Sequence, residues 1–390
     1  MQVDVLDGLA AIEPAAWNAL VPAGPPFLRH EFLAGLEDSG CVGAAAGWRP
    51  RHLVLRRGGR LVAAVPLYLK SHSFGEYVFD WAWADAYARA GLDYYPKLVA
   101  AVPFTPVSGP RLLAAPDADA RGLADALIDA ALALAETEGA SSLHWLFLDQ
   151  AGREALATRG FLLRRGHQFH WHNRRPGRGD GGPGAEPYKD FDDFLAAFPA
   201  RRRKKIRRER RRVAEAGIRV VLVPGEALAE ADWALFHRLY LNTLAAHGAR
   251  PYFSLAGFLE LGRRMPEAVL LAQARQGTRV VAGALFLRDA DALYGRYWGS
   301  LGDYHSLHFE TCYYAPIEHC IRTGLDRFEA GAQGEHKFVR GFLATPTWSA
   351  HWLRHPDFAG AVADFLRRET RHEARYLSLL SAHAPYKAEP

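Results

Sequence analysis

The sequence predicts an α/β protein built from a duplicated strand–helix–strand unit. Three observations predict it. The 390 residues exceed what one hydrophobic core usually fills, so two domains are expected. Apolar runs of strand length alternate with stretches of helical periodicity. The element order of the first half then returns in the second.

The chain opens with a short strand, Val3–Leu6, and two helices, the second over about Phe27–Ser39. A hairpin follows. His52–Arg57 and Arg60–Lys70 are β-rich, and Gly58-Gly59 supplies the two positive φ angles of a tight turn. Ser71–Arg111 mixes aromatic and charged residues, and its Pro-rich end argues against a long helix. It reads either as a long loop packed by its own rings or as the wall of a binding cleft. A helix is expected over Asp117–Glu138 with Asp117 as N-cap, then a strand Ser142–Leu148, a helix Ala151–Arg159 and a strand Phe161–Trp171. Arg174–Pro187 is rich in Gly and Pro and is the best linker in the chain.

The second half offers a matching hairpin, Leu270–Arg275 and Thr278–Leu287, across a Gln-Gly turn. A strand Leu293–Trp298, a helix His308–Thr323 and a strand Leu325–Ala330 follow.

Composition narrows the class. Apolar residues make up 49% and charged residues 23%, the balance of a soluble globular protein. No run of about 18 uncharged apolar residues occurs, and the start lacks a basic region followed by an apolar one, so neither a membrane span nor export is expected. Three cysteines in so long a chain argue against a disulfide framework and for a reducing, cytoplasmic setting. His305, His308 and Cys312 have ligand-like spacing, but no CxxC or HExxH accompanies them, so core thiols and no metal are expected. GxGxxG, GxxxxGK[ST] and GxSxG are absent, which leaves Rossmann, P-loop and hydrolase-elbow chemistry unsupported.

The net charge of +5 is concentrated in Ala200–Val213, where ten residues are Lys or Arg. Apolar residues recur at helical spacing in this run and just before it, from Phe191 to Val213, and Pro199 divides that longer stretch into two helices. With only Glu209 to offset them, the cations read as a polyanion site for nucleotide phosphates, tRNA or an anionic membrane surface. Aromatic interleaving is absent, so the run could hold phosphates but not read bases.

Titratable groups crowd the strand ends between Leu293 and Gly341, as they do around a ligand cleft. In Glu329–Lys337, three small residues follow a strand. Glu335, His336 and Lys337 then open the next helix, where backbone N–H groups favour anions.

Long stretches of this sequence resemble one family. PLYLKSHSFGEYVFDWAWADAY, YYPKL, AVPFTPVSGPRLL, SSLHWLF, QFHWHN, RRRKKIRRER, LYGRYWGS, LHFETCYY, EAGAQGEHK and RGF are similar to the FemAB-like predicted N-acyltransferases of the peptidoglycan biosynthesis/recognition type. The resemblance implies two tandem GNAT-like mixed β-sheet domains flanked by helices, here residues 1–175 and 190–390 about a linker at 176–189. It implies transfer of an acyl or aminoacyl group to an amine, with acyl-CoA or aminoacyl-tRNA as co-substrate and no tightly bound cofactor. The acceptor would be a peptidoglycan precursor. One departure stands out: the acetyl-CoA loop Q/R-x-x-G-x-G/A is missing after Leu293–Trp298, where GSLGDYHSLHFE stands.

Amine acylation needs a base, oxyanion donors, cations for the donor's phosphates and a fixed geometry. Glu335 or His336 is the expected base, with Lys337 and Arg296 for the oxyanion or phosphates, and His308 and Glu310 for acceptor placement. Gln333 and Arg340 complete that end of the site. Lys204, Arg207, Arg208 and Arg210 would hold the polyanion, and Asp80, Trp83, Asp85, Tyr87 and Tyr95 would line the acceptor cleft. The rival reading is a GNAT-like shell that binds RNA or a cell-wall precursor without chemistry.

Overall fold

The computed structural model describes residues 1–175, 186–332 and 334–387. Most of the expected Gly/Pro-rich linker, and Gln333, lie outside the described residues. The chain forms two compact units. The first takes in Met1–Ala23, Phe27–His167 and Pro346–Leu377; the second takes in Gly24–Pro26, Gln168–Thr345 and Ser378–Pro390. Chain order alone would put Pro346–Leu377 in the second unit. It joins the first because Ala350–Leu353 pairs antiparallel with Ser142–Trp145, and Phe358 from the following helix packs on Tyr87 at 4.0 Å between ring centroids.

In the first unit the predicted hairpin forms, with Gly58 and Gly59 at φ 57° and 82°. Its second strand breaks at Pro66 into Arg60–Val65 and Leu67–Lys70, since proline cannot donate to the ladder. Gln2–Leu6, His52–Arg57, Arg60–Val65 and Leu113–Ala114 make one antiparallel sheet. Trp48–Pro50, Leu67–Lys70, Lys97–Ala100 and Ser142–Trp145 follow in order in another, the last two parallel. The helix Ala120–Thr137 covers this unit's core through Leu123, Leu127, Ile128 and Ala131. Its cap is Asp119, which accepts from the Gly122 N–H; Asp117, the expected cap, pairs with Arg60 instead.

The stretch Ser71–Arg111 is not one long loop. It holds the helix Trp81–Arg89 and the strand Lys97–Ala100. Trp83 and Tyr87 sit four residues apart on one helix face and are buried against Leu353, Val362 and Leu366.

In the second unit the strands run Ile218–Pro224, Val269–Gln276, Arg279–Arg288, Ala292–Ser300, Arg327–Glu329 and then His170–His172. All pairs are antiparallel except Ala292–Ser300 with Arg327–Glu329. A crossover helix joins that parallel pair. Pro199 does separate two helices, the short Phe191–Ala196 and the basic Ala200–Glu215. The core gathers Phe194, Phe198 and Ile206 with Trp171, Phe286, Tyr314 and Phe328. Gly299 lets the helix Glu230–Ala246 lie against its strand: a Cβ there would fall 2.2 Å from the Leu239 carbonyl carbon. Among the described residues no helix is long and apolar enough to cross a membrane.

Candidate functional site

The crossover helix is irregular. Leu307–Phe309 winds normally, Glu310–Tyr314 forms a wide π-turn, and Ala315–Thr323 winds normally again to a C-terminal stop at Gly324. Such one-residue bulges are frequent at functional sites because they re-aim side chains. Here the bulge sends Glu310, Tyr313 and Tyr314 to three different polar partners. Glu310 meets Arg210 at 3.0 Å, the Tyr313 hydroxyl lies 2.8 Å from His336 Nε2, and the Tyr314 hydroxyl donates to Glu209 at 2.5 Å.

Downstream of the strand Arg327–Glu329 comes a tight turn, Glu335–Arg340, flanked by Gly334 and Gly341 at φ 116° and 97°. Only glycine takes such angles without strain. The absence of a side chain at Gly334 also makes room for the His336 ring, whose Cε1 would lie 2.5 Å from a Cβ there.

Lys337 and Arg340 turn inward from this turn. Lys337 is 2% exposed and donates to the Gly331 carbonyl at 2.8 Å. Burial with no carboxylate nearby lowers its ammonium to about 7. Arg340, 4% exposed, places its guanidinium carbon over the Phe309 ring, 3.4 Å from the centroid. Its guanidinium donates to the Tyr314 hydroxyl, the His336 carbonyl and both Glu209 carboxylate oxygens, the last at 3.1 and 3.0 Å. Two imidazoles border these cations, their rings 5.9 Å apart. Burial, and then His336, Arg340 and Lys337, lower His308 to about 4. Burial, and then Lys337 and Arg340, also lower His336. Both rings are neutral at pH 7.

His308, His336, Lys337 and Arg340 are thus brought together. Glu335 is exposed on the same turn, and Arg296 is half-buried on its strand with its guanidinium 5.6 Å from the Tyr297 ring. Glu310 is held by Arg210, and burial raises its carboxyl despite that arginine.

The basic helix is sorted into two sides. Arg207 pairs with Asp192, Arg210 with Glu310 and Glu318, and Arg211 with Glu215. Lys204 and Arg208 instead line a groove of about 750 Å³ with Arg201, Lys205, Tyr314 and Arg340.

The first unit encloses a second polar cluster. Lys97, fully buried, donates to Ser73 and Glu76, each at 2.8 Å, and to Asp80. Tyr94 donates to Asp80 at 2.7 Å and lies 3.2 Å from His144, which meets His351 through the two Nδ1 atoms at 2.7 Å. Burial would lower Lys97, but Glu76 and Asp80 outweigh it and hold the ammonium above its usual range. Burial would likewise raise Asp80, and Lys97 then His144 outweigh it in the other direction. The residues expected to line an acceptor cleft divide around this cluster. Asp80 belongs to it, Trp83 packs edge-on against His351 at 5.0 Å, Tyr95 bonds Ser73 at 2.9 Å, Tyr87 lies on Phe358, and Asp85 is exposed.

Sequence reasoning passed over Glu209, Phe309, Tyr313, Tyr314 and Lys97. Two signals could have found some of them. Glu209 falls in register with Ile206 and Val213, so it lies on the buried stripe of its helix. Lys97 heads a strand whose four residues are all buried.

The two units and their mixed sheets define a tandem GNAT-type α/β fold. The sequence profile of the FemAB-like family, described as peptidoglycan biosynthesis/recognition, matches residues 8–388, and the chain belongs to that family. The structure of FemX is similar at 12% identity and TM-score 0.52, over 93% of this chain and 100% of FemX. A tandem GNAT protein from the clavulanic acid biosynthesis pathway is similar at 14% identity and TM-score 0.46, over 91% and 99%. L-PGS from Bacillus licheniformis is similar at 11% identity and TM-score 0.49, over 85% and 95%. No curated protein sequence matches the chain.

Proposed function

We propose that this protein is an N-acyltransferase. It moves an acyl or aminoacyl group from an activated, anionic donor, an acyl-CoA or an aminoacyl-tRNA, to an amine. The family's description favours the amine of a cell-wall precursor peptide as acceptor. The observation that carries the reading is Lys337, a buried lysine lowered to about 7 beside a neutral His336. A lysine that titrates near 7 next to an imidazole that burial keeps neutral suits proton transfer near neutral pH.

In the proposed step the acceptor's neutral nitrogen attacks the donor's carbonyl carbon. A C–N bond forms, and the carbonyl oxygen becomes an oxyanion that the Lys337 ammonium stabilises. His336, its ring fixed by Tyr313, takes the proton from nitrogen. The tetrahedral centre then collapses, the bond to the leaving oxygen or sulfur breaks, and Lys337 supplies that atom with a proton. Arg340, locked by Glu209 and stacked on Phe309, sets the wall of the site. Glu335, exposed on the same turn, is the alternative base.

The test is transfer by the purified protein from acyl-CoA and from charged tRNA to an amine acceptor. Lys337→Ala and His336→Ala should each lower the rate at least about tenfold with the fold intact by circular dichroism. The wild-type rate should fall as pH rises through about 7, where Lys337 loses its proton. Transfer unaffected by both substitutions would overturn the assignment. The missing acetyl-CoA loop favours one second reading, a non-catalytic binder of RNA or precursor. Ligand binding without turnover from any donor would establish it.

A further inference from the structure

The helix Ala200–Glu215 carries its cations unequally. Arg207, Arg210 and Arg211 each face a carboxylate. Arg201, Lys204, Lys205 and Arg208 face none: all four are exposed, and none of their side chains has an ion pair or hydrogen-bond partner among the described residues. Their spacing, i, i+3, i+4 and i+7, draws one stripe along one helix face, roughly 10 Å long at the rise of an α-helix. Four like charges in one stripe repel one another, so the stripe costs stability until an anion meets it.

The stripe borders the groove of about 750 Å³. That groove is not a bare electrostatic surface. Pro199, Ile206, Val339 and the Tyr314 ring line it, and its inner end reaches the buried, Glu209-locked Arg340. A nucleic-acid backbone would use the stripe and leave an apolar slot unfilled, and no aromatic side chain on this helix is offered for a base to stack on. A membrane surface would need apolar anchors beside the cations, but the exposed large hydrophobic residues lie elsewhere, at Phe74, Phe79, Trp81 and Leu241 among others.

We propose that this face docks a small acidic protein that carries the acyl group as a thioester on a phosphate-linked pantetheine arm. An acidic helix of the partner meets Arg201, Lys204, Lys205 and Arg208, and the arm enters the groove. This goes beyond the proposed function, replacing its acyl-CoA or aminoacyl-tRNA donor with a carrier-bound thioester, and it rests on that reading's transfer of an acyl group to an amine. It also fits the departure from the acetyl-CoA loop, since an arm delivered by a protein needs no site for the nucleotide of CoA. In the reaction the amine's nitrogen bonds the thioester carbon, the C–S bond breaks, and the arm's sulfur leaves as a thiol with the proton.

The test titrates the full chain with acyl-loaded acyl carrier protein, with the matching acyl-CoA, and with tRNA, at two salt concentrations. Acyl carrier protein should bind tightest. Lys204→Glu with Arg208→Glu should weaken it at least about tenfold, while Arg211→Glu, on the paired side, should leave it within about twofold. Both changed positions are exposed, and a melting curve checks that the double variant folds. Tighter binding of tRNA or acyl-CoA with the same dependence on Lys204 and Arg208 would overturn the proposal. So would carrier-protein affinity indifferent to the double reversal, or no binding at all. Transfer from acyl-CoA or charged tRNA but not from the carrier protein would sink this proposal and leave the acyltransferase reading standing.

Discussion

Lys97 and Lys337 are equally hidden from water and are driven in opposite directions. Lys97 sits between Glu76 and Asp80, and those carboxylates hold it charged. Lys337 meets only the Gly331 carbonyl, so burial prevails and its ammonium is lowered to about 7. Burial alone does not decide what a lysine does. The charge of its nearest partner decides whether burial leaves it charged or drives it toward the neutral amine.

The same substitution should therefore have opposite effects at the two positions. Lys97→Met strands two buried carboxylates and should cost about 3–5 kcal/mol of stability, read by urea unfolding at pH 7. Lys337→Met removes a poorly hydrated cation and should leave the protein as stable or stabilise it by about 1 kcal/mol at pH 6, while turnover collapses. Equal destabilisation by both would erase the contrast.

The pH dependence of stability sharpens it. Lys337 titrates at about 7 folded and near 10.5 unfolded, so between those values the unfolded chain binds more protons and stability rises with pH. Lys97 is raised, so its contribution is fully present below 10.5 and is lost only as pH climbs above that. Across about pH 7 to 10 the wild type should gain on the order of a few kcal/mol relative to Lys337→Met, seen as diverging unfolding midpoints. Parallel curves would contradict the lowered lysine. The smallest change is Gly334→Ala. It forces a Cβ into the space of the His336 ring at a positive φ, and should cost about 1 kcal/mol in stability and about tenfold in rate.

Much of the fold could be read along the chain. Hairpins, the break at Pro199 and the strand–helix–strand repeat are local events, written in Gly, Pro and apolar spacing. What escaped was non-local. The helix Trp81–Arg89 looked like loop because its Trp83 and Tyr87 signal is short and diluted by charges, and its partner face comes from Phe358 and Val362, far along the chain. The return of Pro346–Leu377 to the first unit is a pairing of strands that no window of sequence contains. The candidate site was legible in its residue types, since His308, His336, Lys337 and Arg340 do converge. Neutralisation was not legible. Only the folded chain shows that Arg210 is matched by Glu310 and Glu318 while Lys204 and Arg208 are left unmatched.

The wide turn at Glu310–Tyr314 amounts to one surplus residue in an otherwise regular spiral. Each residue of an α-helix advances about 100° around the axis. Excising a single codon there would restore even winding, yet swing everything on one side of the cut by that angle relative to the other. Tyr313 would let go of His336, Tyr314 would let go of Glu209, and the apolar face of Ile317 and Cys320 would have to choose which half of the helix to follow. A lineage could thus silence this protein's chemistry, or awaken it, through an insertion or deletion three nucleotides long, with no change of amino-acid type at any position.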